Sequence, residues 1–197
     1  MVLVTQQAPN FIAPAILKNG DIVQKFDLKK FSNKKKIILF FWPMDFTFVC
    51  PSEIIEFNQL YLNFKEKNVK IVGVSTDSVF VHQAWQKTPI KNGGIGPIAF
   101  PMVSDIKREI QQSYGIEHPD LGVALRASFL IDNHWIVRHQ VVNDLPFGRN
   151  IQEMMRMVDA IDFHNKNGEV CPANWKSGQE GMKASLEGVS SYLSKHY

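Results

Sequence analysis

The run Ile37-Ile38-Leu39-Phe40-Phe41 constrains the chain more than any other stretch, because five consecutive apolar residues suit a strand that must be covered on both faces. It passes directly into Trp42-Pro43-Met44-Asp45-Phe46-Thr47-Phe48-Val49-Cys50-Pro51-Ser52-Glu53. Beyond that, Ile54, Phe57, Tyr61 and Phe64 recur at helical spacing. The pattern predicts a buried central strand, a short loop and a helix, with a thiol at the joint. On this reading Cys50 is the N-cap, Pro51 takes the first helical position, where a missing N–H is no loss, and Glu53 the third, where an acid suits the helix dipole.

A cysteine at a helix start faces free N–H groups and the positive end of the dipole, both of which favour thiolate over thiol. Cys50 is therefore expected to be a low-pKa nucleophile. Thr47, three residues upstream, is placed to set its hydroxyl beside the sulfur, donating to one oxygen of a bound substrate and accepting from another. Pro43 is expected to shield the thiolate from water and fix the loop. Taken alone, however, a Cys-Pro pair is as readily an inert core residue, as most free cysteines are.

The remaining pattern is α/β. The opening to about Lys36 reads as an extended arm with short strands and a turn at Asn19-Gly20-Asp21. Val69 to Ser75 predicts a strand, followed by a helix capped by Asp77 or Ser78 and running to about Lys87; its His82 and Trp85 read as packing or surface residues. Lys91 to Pro101 is a glycine- and proline-rich loop, then come a short strand at Met102-Val103, a helix from about Asp105 to Tyr114, and a hairpin of Ser128–Ile131 and Trp135–Val142 around Asp132-Asn133. Asn150 caps a last long helix with Ile151, Met154, Met155, Val158 and Ile161 on its apolar face. The helical pattern stops beyond Asn165, which divides the chain into a domain of residues 1–165 and a C-terminal arm of residues 166–197. An arm with so few core-forming residues has to lean on something else, and a second subunit is the expectation.

Composition narrows the classes further. With 22 basic and 19 acidic residues the net charge is only +3, and no dense basic block marks a nucleic-acid surface. Lys34-Lys35-Lys36 most simply solvates a turn. Gly93-Gly94-Ile95-Gly96 lacks the following lysine of a phosphate loop. Residues 1–17 lack a basic start and an unbroken apolar core, and no run approaches the roughly 20 apolar residues that span a bilayer. A soluble, cytoplasmic protein with no membrane association is expected, and in a reducing cytosol two cysteines are more readily catalytic than a structural staple. Their positions, 50 and 171, exclude a Cys-x-x-Cys reductase motif.

Pro43, Thr47 and Cys50 reproduce the Pro-x-x-x-Thr-x-x-Cys signature of the peroxiredoxins, and Asp45 to Glu53 closely resembles their typical 2-Cys branch. The resemblance extends through Gly93-Gly94-Ile95-Gly96-Pro97, Leu121-Gly122-Val123-Ala124-Leu125-Arg126, Asn143-Asp144-Leu145-Pro146, Gly148-Arg149 and Glu169-Val170-Cys171-Pro172-Ala173. It implies a thioredoxin-like fold with an N-terminal extension, and a thiol peroxidase acting on hydrogen peroxide and organic hydroperoxides with neither metal nor other cofactor. It also implies that Cys50 is the peroxidatic residue and Cys171 the resolving residue of the partner chain, joined in an intersubunit disulfide that thioredoxin or a dedicated flavoprotein disulfide reductase reopens. Arg126 matches the family's active-site arginine, a fixed cation for the charge that develops as an O–O bond breaks; Glu53 is expected to hold it, with Arg149 a weaker candidate for the same network. Homodimers assembling to a decamer follow from the same resemblance, with Val79–Trp85 and the loop of Phe46 at the dimer–dimer contacts.

Some positions depart from the family's common pattern: Trp42, Ser52, Ala127, Ser128 and Asn174. Tyr192 is followed by Leu193 where sensitive relatives carry Tyr-Phe, so intermediate sensitivity to overoxidation is the expectation. Two other readings stand beside the peroxidase. A cysteine hydrolase requires a histidine base at the thiol, and none of the six histidines sits in a recognisable partner motif. A holdase-like chaperone is compatible with peroxidase activity in the same chain.

Overall fold

The computed structural model describes all 197 residues. It divides into two compact units, residues 1–151 and residues 152–197. The first holds one seven-stranded mixed sheet, in the order β2-β1-β5-β4-β3-β6-β7. Its strands are β1 (Ile12–Ile16), β2 (Ile22–Asp27), β3 (Lys36–Phe41), β4 (Val69–Ser75), β5 (Met102–Ser104), β6 (Arg126–Ile131) and β7 (Val137–Asn143). Between them lie helices α1 (Leu28–Ser32), α2 (Cys50–Gln59), α3 (Tyr61–Glu66), α4 (Val79–Lys87) and α5 (Glu109–Ser113).

The apolar run is an interior strand: β3 lies parallel to β4 and antiparallel to β6, with every residue buried. Its alternating side chains serve two layers. Phe40 stacks on Phe57 of α2 with ring centroids 4.3 Å apart, whereas Phe41 meets Tyr114 and Phe129 on the opposite face. Burying rings of this size stabilises by roughly 1.5–3 kcal/mol each, and the Phe40–Phe57 pair fixes α2 against the strand that precedes its loop. The strand after α3 and the Ser78 cap of α4 fall where the sequence places them, and the Ser78 hydroxyl accepts the Val81 N–H.

Three local expectations need correction. The helix expected from Asp105 begins only at Glu109, because the Asp105 carboxylate itself accepts the N–H groups of Ile110 and Gln111 from outside the helix. Lys36 does not solvate a turn; it opens β3 and is buried, while Lys34 and Lys35 stay exposed. A short helix, α1, stands in the opening segment, capped by Asp27.

In the second unit, α6 (Ile151–Asn167) runs into the unit from the first and buries Met154, Val158 and Ile161, with Met155 only half-buried. The arm beyond it folds on itself. Val170 and Met182 exchange backbone hydrogen bonds, Phe163 packs on the buried Trp175 at 4.9 Å, and a helix the sequence reading leaves out, α7 (Leu186–His196), ends the chain behind its Ser185 cap. No helix is long and apolar enough to cross a membrane.

Candidate active site

The loop between β3 and α2 is held from beneath by a buried polar network. Asp45 accepts the Trp42 indole N–H at 2.8 Å and meets His82 Nδ1 of α4 at 2.7 Å; its own backbone N–H donates to Asp77 at 2.8 Å. His82 Nε2 lies 3.2 Å from the Val103 carbonyl, which only accepts, so that nitrogen carries a proton. Burial pushes the Asp45 carboxyl up, against the lowering effect of His82. His82 is thus neither surface residue nor bystander: it ties the loop to β5. Pro43, also buried, accepts the Thr76 hydroxyl at its carbonyl.

Phe46 takes a left-handed backbone, φ 54°, and turns the loop toward α2. Cys50 is the first residue of that helix, not its cap. Val49 occupies the cap position with a helical backbone and no capping side chain, Pro51 follows at the second position and Glu53 at the fourth. The helix starts one residue early because the Val49 carbonyl already accepts from the Ser52 N–H and hydroxyl, and a proline is as free of need for an N–H at the second position as at the first. Glu53 therefore does not reach back to the helix start. It points inward.

There it meets two arginines, one that opens β6 and one in the loop between β7 and α6. Arg126 opens β6 and donates Nη1 to Glu53 Oε2 at 2.9 Å and to the Cys50 sulfur at 3.2 Å, while its Nε is fixed on the Leu145 carbonyl at 2.6 Å. Arg149 donates Nε and its backbone N–H to Glu53 Oε1 and Nη2 to Oε2. Its Nη1 bonds the Ala127 carbonyl and, at 3.1 Å, the Ser128 hydroxyl, and its guanidinium lies 5.5 Å from the Phe40 ring. Burial alone would raise the Glu53 carboxyl, but the hydrogen bonds and charge of Arg149, with the charge of Arg126, outweigh it and hold the group below the usual carboxylate range. Arg149 makes more bonds to Glu53 than Arg126 does, while Arg126 is the arginine that touches the sulfur.

The Cys50 sulfur is fully buried and has a second neighbour, the Thr47 hydroxyl, at 2.8 Å; that hydroxyl also reaches the Met44 carbonyl at 2.8 Å. One hydroxyl proton serves two acceptors, so Thr47 donates to Met44 when the sulfur is a thiol and is free to turn toward a thiolate or an oxygen beside it. A cavity of about 360 Å³ opens here, lined by Pro43, Thr47, Phe48, Leu121 and Arg126 among others, with no acidic side chain. A small polar reactant with an apolar tail fits such a cleft. In the second unit Cys171 is half-buried, its thiol 3.6 Å from the Ala160 carbonyl; burial pushes that thiol up while Arg156 acts in the other direction. Both cysteines are free. No group of three or more His, Cys, Asp or Glu side chains is arranged to hold a metal ion.

Comparison with known proteins points one way. A family model described as the AhpC/TSA family matches residues 4–140, and one described as the C-terminal domain of 1-Cys peroxiredoxin matches residues 160–195. The chain is 76% identical to the alkyl hydroperoxide reductase C of Buchnera aphidicola subsp. Acyrthosiphon pisum over the full length of both. It is 51% identical to the alkyl hydroperoxide reductase C of Helicobacter pylori strain J99, covering 99% of this chain and 98% of that one. Among solved structures, the reduced 2-Cys peroxiredoxin of Plasmodium vivax superposes with a TM-score of 0.94 at 45% identity, across 98% of this chain and all of the other.

Proposed function

The chain belongs to the AhpC/TSA family, the peroxiredoxins, and from that premise we propose that it reduces hydrogen peroxide and organic hydroperoxides at Cys50, with Cys171 of a second subunit resolving the oxidised form. The observation that carries the reading is the surroundings of one sulfur: a fixed arginine N–H at 3.2 Å and a threonine hydroxyl at 2.8 Å, both from residues that line a largely apolar cleft.

The chemistry follows from those neighbours. The Cys50 thiolate attacks one peroxide oxygen; the S–O bond forms, the O–O bond breaks, and the electron pair departs on the second oxygen, which takes a proton and leaves as water or alcohol. Arg126 presents its charge where the sulfur is negative before the step and where the departing oxygen is negative during it, without having to reorganise. Thr47 accepts from the protonated peroxide oxygen and directs its own proton to the other, and Pro43 with the apolar cleft keeps water from competing. The product is a Cys50 sulfenic acid. The Cys171 thiol of a partner condenses with it, forming the disulfide and releasing water, and a dithiol reductant, thioredoxin or a flavoprotein disulfide reductase, returns two electrons to restore both thiols.

A homodimer is the smallest unit that completes this cycle, and the decamer is the assembly we assign to it. The exposed Phe46 and Phe80, on the loop and on α4, supply apolar surface for such association. A reducing cytoplasm suits a cycle that needs a dithiol donor. Closing the disulfide requires the first turn of α2 to open, and the uncapped start at Val49 makes that turn a low-stability element.

One equivalent of hydrogen peroxide, followed by a non-reducing gel and intact mass, tests the scheme. A disulfide-linked dimer is expected from the parent and a one-oxygen mass gain stalled on Cys50 from Cys171→Ser. A parent that stays monomeric under denaturing conditions, with a Cys171→Ser protein that still turns over on thioredoxin, would leave Cys171 without a role.

A further inference from the structure

A cavity of about 410 Å³ opens at the end of the sheet opposite Cys50. Val69 and Ile71 at the start of β4, and Phe31 of α1 and Phe100 before β5, form its apolar floor. Because β3 runs parallel to β4 in the register Lys36↔Val69 to Phe41↔Val74, and Cys50 follows the far end of β3, the cavity and the thiol are separated by a six-residue strand, on the order of 17 Å. The two openings share no lining residue.

The rim is what distinguishes it. Lys18, Lys35, Lys65 and Lys70 line the opening, and no acidic side chain does. None of the four is engaged in an ion pair. Lys70 lies over the Phe31 ring, 4.4 Å from its centroid, and donates to the Phe31 carbonyl at 2.5 Å. Burial and the neighbouring Lys35 make its ammonium less favourable than in water. The rest of the protein's charge is nearly balanced, so four unpaired cations around an apolar recess are a local excess and not a general property of the surface.

An anion relieves that excess, but a purely inorganic one leaves the aromatic floor in contact with water, and a neutral hydrocarbon leaves the lysines unpaired. A ligand with a carboxylate head and a short apolar body satisfies both, and the volume lies within the usual range for small-molecule sites, roughly 300–1,000 Å³. We propose that this cavity binds a medium-chain amphipathic carboxylate, its body on Phe31, Ile71 and Phe100 and its head among Lys35, Lys65 and Lys70.

Calorimetric titration of the full-length reduced protein with decanoate, beside decanol and inorganic phosphate, tests this, together with photolabelling by a diazirine-bearing decanoate read out by peptide mass spectrometry. Decanoate is expected to bind saturably and to outbind both controls. Its affinity should fall roughly tenfold in Lys65→Met and in Lys70→Met, as removal of a charge-assisted partner requires. Ala99→Trp, which fills the opening, should abolish binding, and the label should fall on peptides holding Phe31, Ile71 or Phe100, with peroxide consumption unchanged in all three variants. Equal affinity for decanol or phosphate, indifference to both lysine variants, labelling in the Phe48–Leu121 cleft, or no binding at all would each overturn the assignment.

Discussion

Glu53 and Arg149 are joined by two side-chain bonds, Nε to Oε1 at 2.8 Å and Nη2 to Oε2 at 2.9 Å, and by the Arg149 backbone N–H to Oε1 at 2.9 Å. Arg126, which alone of the two arginines touches the Cys50 sulfur, reaches that carboxylate through a single bond. The carboxylate is therefore held in place by the arginine that does not touch the sulfur, and in the proposed mechanism it aims the one that does. Such a clasp matters because an arginine misplaced by a fraction of an ångström loses its hold on a developing charge.

Glu53→Gln keeps the shape but leaves two buried guanidinium groups without their anion. The second-order rate with hydrogen peroxide, followed by stopped-flow fluorescence, is expected to fall about a hundredfold, and stability by about 3–5 kcal/mol. Arg149→Met, which removes no group in contact with the sulfur, should still slow peroxide reduction about tenfold. An Arg149→Met protein that keeps the parent's peroxide rate would show that Arg126 is aimed by its Leu145 contact alone.

Thr47 separates into two properties, a hydroxyl and a methyl. Thr47→Ser retains the oxygen 2.8 Å from the sulfur and should stay within about fivefold of the parent, whereas Thr47→Val, equal in shape, should lose roughly a hundredfold or more. Comparing the two rates at saturating reductant isolates the hydrogen bond from packing. Similar losses in both variants would assign the residue a packing role.

The chain spelled out the thiol's immediate setting because strand, loop and helix are contiguous, and an apolar run, a proline and helical spacing are local signals. Thr47 and Pro43 were legible for that reason, and Arg126 and Glu53 through the family motif. What local pattern does not carry is pairing across the sheet: His82 meets Asp45 only because α4 returns over β1 and β5, and nothing at position 82 announces a partner 37 residues earlier. The early start of α2 and the late start of α5 turn on single carbonyl and carboxylate contacts, which spacing does not show. α7 carried a usable signal, the Ser185 cap with Leu186, Val189 and Leu193 at helical spacing, but those residues are exposed and read as an arm when a buried stripe is sought.

The depressed Glu53 carboxyl makes stability depend on pH with a fixed sign. Its folded value lies below the ordinary 4.5, so the stabilisation it supplies is complete above that value and is lost as pH falls through the lower, folded value. The difference in denaturation midpoint between parent and Glu53→Gln, measured at one protein concentration, should be constant from pH 7 to about 5 and shrink on further acidification. A gap that widened below that range would assign the acid sensitivity to another group.

The last prediction concerns a glycine that never touches the thiol. A Cβ placed on Gly73 in β4 would stand 2.6 Å from the Trp42 ring and 2.9 Å from that of Phe40, both fully buried, so neither ring has room to yield. Trp42 is the donor that holds Asp45, and Asp45 anchors the loop that carries Thr47 and leads into Cys50. Gly73→Ala is therefore expected to cost about 1–3 kcal/mol through overpacking and to speed hydrogen exchange across residues 44–50. Asp45→Asn, which alters the same anchor without adding volume, should quicken exchange over the same span with less loss of stability. If Gly73→Ala destabilised the protein while exchange at residues 44–50 stayed at the parent's rate, the indole would be a core residue only, and the loop's order would rest on Asp77 and His82.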